Sequence, residues 1–167
     1  MSQAIFLRDY RATDVGAMFR LDEACFAVEF RFDRDSMREF AEERGATTLI
    51  AEDAAGELAG FVIAHIEPMA AGKRGYVVTL DVALRSRRIG VAGRLMREAE
   101  RRAALAGAVR MELHVFVEND AAIRFYEGRG YRRMGIRQNF YGQGRDGWAY
   151  RKDLKQAEFG ETALIGR

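Results

Sequence analysis

The sequence contains very little cysteine, proline or histidine. Its 167 residues include one cysteine, Cys25, one proline, Pro68, and two histidines. A single cysteine excludes a disulfide framework within the chain and suits a reducing compartment. Two histidines and one cysteine at unrelated spacings cannot supply a familiar zinc cluster, so we expect no metal site. Cys25 lies in an apolar stretch, which favours a buried side chain over a nucleophile.

Net charge and long apolar runs are also lacking, and their absence excludes two further classes of protein. The 27 Lys and Arg residues nearly balance the 25 Asp and Glu residues, and the two signs are mixed along the chain. This balance argues against a protein that chiefly neutralises nucleic-acid backbones. No segment approaches ~18 apolar residues, and no basic-then-apolar signal begins the chain. We therefore expect no nucleic-acid or membrane partner and a cytoplasmic location.

The pattern of apolar residues predicts one α/β domain. Alternation and turn residues predict seven strands, at 5–7, 47–52, 58–66, 76–84, 109–117, 131–138 and 146–154. Helical spacing and capping residues, Asp14 among them, predict four helices, at 14–25, 33–43, 90–106 and from 119 onward. The order β-α-α-β-β-β-α-β-α-β-β predicts a single mixed, mostly antiparallel sheet with helices on both faces. The domain is expected to cover residues 1–155, and residues 156–167 are expected to be a C-terminal tail.

An arginine- and glycine-containing loop lies between a predicted strand and the third predicted helix. A loop that turns directly into a helix offers free backbone N–H groups and the positive end of the helix dipole to an anion. Gly90 and Ala92 would let a phosphate approach the backbone, and Arg87 and Arg88 add positive charge. The loop lacks the glycine spacing of dinucleotide folds and the Gly-Lys-Ser/Thr of P-loops. Two interpretations stay open, a phosphate site and a helix start that binds no ligand.

Two motifs together resemble the GNAT superfamily of N-acetyltransferases. Arg87-x-x-Gly90-x-Ala92 resembles the family's pyrophosphate-binding signature, Gln/Arg-x-x-Gly-x-Gly/Ala. The segment from Asn119 to Tyr131 is similar to the family's Asn-x-x-Ala-x-x-x-Tyr-x-x-x-Gly-Phe. The resemblance implies the GNAT fold over residues 4–154, acetyl-CoA as cofactor, and acetyl transfer to a primary amine. It also implies a cofactor site at Leu80, Asp81, Val82, Arg87, Arg88, Ile89, Gly90, Val91, Ala92, Asn119 and Tyr126.

The segment 136–141 narrows the resemblance to protein N-terminal acetyltransferases, including the bacterial ribosomal-protein alanine type. It is similar to their Arg-x-Asn-Tyr-Tyr stretch, whose tyrosine pair helps to close over the first residues of the substrate. Here the first aromatic residue is Phe140, so a hydroxyl contact from that position is lost. The resemblance implies substrate contacts at Phe26, Val28, Glu29, Phe140 and Tyr141. The family's usual proline is absent from the loop after the first predicted helix, which contains residues 26–29. Glu29 in this loop either attracts the cationic N-terminus of a substrate or is a solvated surface charge.

The chemistry of acetyl transfer requires proton movements. A peptide α-amine has a pKa of ~8 and is largely protonated at pH 7, so a base must remove a proton before the amine attacks. The resemblance implies that Tyr126 is the acid for the leaving thiolate. It implies that the base is His114, five residues before Asn119, paired with Tyr76 on the strand before the phosphate loop. If the two lie on neighbouring strands, we expect them to hold one water between them. A core tyrosine and a structural histidine are the alternatives.

Several functions remain open at this point. We favour N-α-acetylation of a protein or peptide by a monomer or homodimer. A GNAT enzyme acting on lysine or a small amine is one alternative, because the fold is shared among these activities. A module that binds acyl-CoA without catalysis is another, since the phosphate loop alone would serve that purpose.

Overall fold

The computed structural model describes residues 3–155, and a seven-stranded sheet forms its centre. The strands are β1 (Ile5–Asp9), β2 (Ala46–Asp53), β3 (Leu58–Pro68), β4 (Lys73–Val82), β5 (Ala108–Phe116), β6 (Arg132–Arg137) and β7 (Gly147–Asp153). They lie in the order β1-β2-β3-β4-β5-β7-β6. All neighbours are antiparallel except β4 and β5, which are parallel. The predicted mixed, mostly antiparallel sheet is confirmed, and the predicted tail lies outside the described residues.

Four α-helices connect the strands in the predicted order. They are α1 (Val15–Cys25), α2 (Arg34–Glu42), α3 (Val91–Leu105) and α4 (Asp120–Gly128). Three short 3-10 turns, which the sequence pattern did not predict, lie at Ala12–Asp14, Val28–Phe30 and Leu84–Ser86. Segments of three residues are too short to show a helical period, so hydrophobic spacing cannot reveal them. Within residues 3–155 no helix has the length and apolar content needed to cross a membrane.

The helices pack on both faces of the sheet because successive strand residues point to opposite sides. Leu49 and Val62 belong to a core that includes Leu95 of α3. The next residue, Ile50, belongs to a second core, which includes Met18 of α1 and further side chains of α2. Helices α1 and α2 therefore cover one face, and α3 covers the other.

Side chains and one glycine define where the helices begin. Asp33 accepts a hydrogen bond from the Ser36 backbone N–H at 2.8 Å and caps α2. Gly90 precedes α3 with a left-handed φ of 85°. The predicted cap of α1 is wrong, because Asp14 accepts from the Arg11 backbone and pairs with Arg8 of β1 instead. Arg8 lies on β1, six residues before Asp14, so the local capping pattern did not reveal that Arg8 competes for this carboxylate.

The sheet divides in the middle. Strands β4 and β5 are paired only near their beginnings, where Lys73 is opposite Ala108 and Tyr76 is opposite Glu112. Beyond Tyr76, β4 keeps only its β3 partner and β5 only its β7 partner. A register shift on β3, between Ile63 and Ala64, marks a bulge opposite them in β4. The two strands therefore diverge and leave a cleft between them.

Candidate functional site

The divergence of β4 and β5 creates a cavity of about 430 Å³. Its walls come from both strands, from the segment after α1 and from α4. The lining side chains include Phe30, Phe32, Val77, Val78, Thr79, Leu80, His114, Phe116, Asn119, Tyr126 and Tyr141. An outer recess of about 620 Å³ adjoins it and is also lined by His114 and Tyr141. Glu29, Glu67 and Phe140 border only this outer recess, which gives the cleft a more polar entrance.

His114 and Tyr76 meet where the two strands separate. The Tyr76 hydroxyl and His114 Nδ1 are 2.8 Å apart, so the two side chains are directly hydrogen-bonded. The structure therefore differs from the expectation of an intervening water. Burial raises the pKa of Tyr76 to about 12, so its hydroxyl stays protonated at neutral pH. It can donate to Nδ1 of a neutral imidazole while its oxygen accepts a proton from another group.

The environment of His114 favours its neutral form. Burial is the largest effect that lowers the His114 pKa, and the positive charge of Arg137 lowers it further. The Phe140 ring stacks on the imidazole, with ring centroids 4.0 Å apart and an angle of 16° between the planes. The Arg137 guanidinium carbon lies 5.3 Å from the centroid of the Phe140 ring. Phe140 therefore contacts His114 through its ring, where the family's tyrosine would offer a hydroxyl. The Tyr141 hydroxyl donates a hydrogen bond to the His114 backbone carbonyl at 2.9 Å.

Tyr126 approaches the cavity from the opposite side. Helix α4 holds it there, and the Asn119 side chain caps this helix by accepting from the Ala122 N–H at 3.2 Å. The ring packs edge-on against Phe125 and Tyr131. Burial raises the Tyr126 pKa above its ordinary value, so the hydroxyl keeps its proton. Among residues 3–155 this hydroxyl has no hydrogen-bond partner, although the side chain lines the cavity.

The start of α3 adjoins the cleft, because Arg87 contacts Cys25 of the cleft lining, and it fits a pyrophosphate. The first backbone N–H groups of a helix have no partner inside it and point outward. Space is open at Gly90, because a Cβ built there meets no atom within 4 Å. Arg88 adopts a left-handed φ of 64°, and both Arg88 and Ile89 are exposed. Arg87 donates to the Val82 carbonyl at 3.2 Å, so its head group braces the loop against β4.

Four of the predicted site residues do not reach the cleft with their side chains, and one of them, Val91, is buried in the core on the α3 side. Asp81 is completely buried on the face of β4 that α1 covers, and Val82 packs into the core on the α3 side. Val28 is 72% exposed and lines neither cavity. Only the backbone of Asp81 and Val82 is therefore available to a ligand between β4 and β5.

The sequence analysis missed an aromatic group that narrows the cleft. The Phe30 ring lies 4.9 Å from that of Phe116 and 5.4 Å from that of Tyr141, measured between centroids. These contacts join the segment after α1 to β5 and to the segment before β7. The sequence contained one indication of this group, because phenylalanine occurs at 26, 30 and 32 in a short connecting segment. A surface loop does not require three such residues to fold, so their density indicates contacts with another part of the chain or with a ligand.

Comparison with known proteins identifies the family. A model of the acetyltransferase (GNAT) family matches residues 15–131, which is more than half of the chain. The chain belongs to the GNAT acetyltransferase family. The matched region of this GNAT protein includes α1, the split sheet, the glycine loop and Tyr126. The open helix start described above fits the pyrophosphate of acetyl-CoA, with which a structural neighbour has been solved.

Two curated relatives are catalytic subunits of N-terminal acetyltransferase A complexes. The chain is 32% identical over 114 residues to ard1 of Schizosaccharomyces pombe, with 66% of this chain and 64% of the relative covered. It is 34% identical over 110 residues to NAA10 of Arabidopsis thaliana, with 64% of this chain and 56% of the relative covered. The matched region thus spans less than two thirds of either relative.

The fold agrees with that of a solved structure. Superposition on Arabidopsis thaliana NAA60, solved in complex with acetyl-CoA, gives a TM-score of 0.79. The identity is 21%, and the alignment covers 90% of this chain and 99% of that chain.

In residues 3–155 no group of three or more His, Cys, Asp or Glu side chains is arranged to hold a metal ion.

Proposed function

We propose that this GNAT protein acetylates the N-terminal α-amine of a protein or peptide. The observation that carries the proposal is the hydrogen-bonded pair of Tyr76 and His114, 2.8 Å apart, at the junction of the two cavities. Relatives at 32% and 34% identity are named as catalytic subunits of N-terminal acetyltransferases. A cytoplasmic location belongs to the same proposal, because protein N-termini emerge there.

The lowered pKa of His114 matches an α-amine better than a lysine side chain. An α-amino group has a pKa of ~8 and a lysine ammonium one of ~10.4, so the lysine is roughly 250 times harder to deprotonate. His114 is a weaker base than an ordinary histidine, so it is poorly suited to the larger pKa difference between imidazole and a lysine ammonium. The outer recess of about 620 Å³ supports the same choice, since it offers room for several residues of a peptide.

The residues divide the proton transfers between the two sides of the cleft. When bound, acetyl-CoA supplies the activated acetyl thioester. Tyr76 Oη takes a proton from the amine while its own proton passes to His114 Nδ1, so the nitrogen becomes a nucleophile. The bulged backbone of β4 offers N–H groups to the developing oxyanion. On the opposite side, Tyr126 Oη holds the proton that the departing sulfur needs.

The proposal is tested by measuring CoA release from acetyl-CoA with matched short peptides. Each peptide is offered with a free or a blocked N-terminus, and with or without an internal lysine. We expect release with every free N-terminus and none with the blocked forms, whether or not lysine is present. The Gly90→Glu variant, which should not bind acetyl-CoA, serves as the control for release that does not depend on the site.

Other outcomes would point to the competing functions. Release that follows the internal lysine would contradict the proposal and indicate a lysine acetyltransferase. Release only with small amines would indicate a small-molecule enzyme. Acetyl-CoA binding without release for any amine would indicate a module that binds acyl-CoA without catalysis.

A further inference from the structure

Two buried carboxyl groups lie behind the cleft wall, and the acetyl-transfer mechanism does not use them. Asp22 of α1 and Asp81 of β4 are both 0% exposed. Their side chains are within hydrogen-bond reach of each other. Within residues 3–155 neither forms a salt bridge. Two ionised carboxylates within hydrogen-bond reach of each other would repel strongly in a poorly solvated site.

The remaining hydrogen bonds of the two side chains leave one oxygen of each carboxyl without a donor. Asp22 Oδ2 accepts from the Phe32 backbone N–H at 3.0 Å, and Asp81 Oδ1 accepts from the Thr79 hydroxyl at 2.5 Å. The other oxygens, Asp22 Oδ1 and Asp81 Oδ2, are buried without a donor from any described residue. A single proton between these two oxygens satisfies both, because a protonated carboxyl donates and a carboxylate accepts.

The pair links the cofactor strand to the acceptor wall. Segment 26–32 lines both cavities, and its end is held by the bond from the Phe32 N–H to Asp22. We propose that Asp81 Oδ2 keeps a proton and donates it to Asp22 Oδ1, and that the two aspartates are positioning residues that hold segment 26–32 against β4. The proposal concerns the wall itself and holds for any amine acceptor.

The surrounding charges support one shared proton. Burial is the main cause that raises the pKa of both carboxyls, and the pKa of Asp81 is raised well above its ordinary value. Arg31 is the positive group that favours the ionised form of Asp22, while Glu23 on α1 opposes it. Cys25 and Tyr126 are further titratable neighbours of Asp81, and the pKa of each is raised chiefly by burial and further by Asp81. Asp22 is therefore the carboxylate of the pair and Asp81 the acid.

The test compares Asp81→Asn with Asp81→Leu. The asparagine amide donates to Asp22 as the protonated carboxyl does, but it cannot ionise; the leucine fills the space and donates nothing. Amide hydrogen exchange of segment 26–32 is measured first, because it requires no acceptor. We expect protection close to that of the wild type in Asp81→Asn, and exchange faster by about tenfold or more in Asp81→Leu.

The pH dependence separates a shared proton from simple packing. A raised carboxyl pKa stabilises the fold below the unfolded value of ~3.9, and this stability is lost as pH rises through the folded pKa. Protection of segment 26–32 in the wild type should therefore fall at high pH, whereas Asp81→Asn should keep it. Equal pH dependence in the two proteins would overturn the shared proton.

Enzyme kinetics test the positioning role. With any amine that is turned over, Asp81→Leu should raise the KM for the acceptor by about tenfold, while Asp81→Asn stays near the wild-type value. Glu100→Gln is the matched control, because Glu100 is a buried carboxyl that bonds Tyr131 and Lys152 on the opposite face. Its acceptor KM should not change. An unchanged KM and unchanged exchange in Asp81→Leu would refute the positioning role, whereas a failure to find a peptide acceptor would refute only the proposed function.

Discussion

The two ends of the cleft are built from different parts of the chain. At the cofactor end, the features that matter are backbone features: the left-handed Gly90, the open space beside it and the first N–H groups of α3. At the acceptor end they are side chains: the bonded pair of Tyr76 and His114, and the ring stacked on it. A backbone site suits a ligand that every family member shares, while side chains can change with the acceptor.

This difference has an energetic consequence. A pyrophosphate bound by backbone N–H groups is sensitive to sterics and charge at one glycine, but hardly to the identity of exposed neighbours. Proton transfer at the acceptor end depends on the pKa of His114, which burial and nearby cations set. Changes at the two ends should therefore separate cofactor affinity from turnover and from pH dependence.

Gly90→Glu should produce the largest effect. It places a carboxylate where the pyrophosphate is expected and forces a side chain into a φ of 85°. We expect acetyl-CoA binding to be abolished in a calorimetric titration. Gly56→Glu is the matched control, because Gly56 has a φ of 79°, has no atom within 4 Å of a built Cβ, and lies in the β2–β3 hairpin. Binding retained by Gly90→Glu would mean that the loop does not hold the pyrophosphate.

Tyr126→Phe should affect the chemical step and leave binding almost unchanged. Loss of a general acid lowers turnover by about a hundredfold or more, while the ring packing against Phe125 and Tyr131 is kept. The measurement is kcat together with the acetyl-CoA dissociation constant. Tyr150→Phe serves as the control, since its hydroxyl bonds Glu127 and its side chain lines neither cavity. A large loss of acetyl-CoA affinity with normal turnover would contradict the acid role.

His114→Ala should change the shape of the pH–rate profile. Without its base, the enzyme must rely on amine that is already deprotonated, so the loss is greatest below about pH 7.5 and partly recovers at higher pH. His65→Asn is the comparison, because the His65 ring bonds the Phe40 carbonyl and takes no part in the pair with Tyr76. The same profile in His114→Ala and in the wild type would remove His114 from the mechanism.

The sequence predicted the fold well because secondary structure follows local rules. Alternating and helical spacing gave all seven strands and four helices, with boundaries that differ from the structure by a few residues. The motif Arg87-x-x-Gly90-x-Ala92 is recognisable because a backbone site restricts residue types at fixed spacing. The neighbouring positions of Tyr76 and His114 came from the family resemblance, and the structure adds the direct hydrogen bond between them.

Features that depend on tertiary contacts were missed. Asp22 and Asp81 come together only when α1 packs on β4, and each taken alone looks like an ordinary polar residue beside an apolar stretch. The contact of Phe30 with Phe116 joins two distant segments in the same way. From the sequence, Phe140 was described only as lacking the hydroxyl of the family's tyrosine. In the structure its ring stacks on His114, so the ring is the group that matters.

Arg137→Gln should produce the smallest effect and isolates one cause of the His114 pKa. The positive charge near the stacked Phe140 ring lowers that pKa, so its removal should raise the pKa toward the ordinary value. The acid side of the pH–rate profile then moves to higher pH, while the rate at high pH and acetyl-CoA affinity stay the same. The shift should shrink in high salt because mobile ions screen the charge. Arg132→Gln, which removes an exposed charge from the same strand, should leave the profile unchanged. An unmoved acid side would assign the low His114 pKa to burial and to Arg74 rather than to Arg137. A parallel loss of cofactor affinity would mean that the two ends of the cleft are not separable.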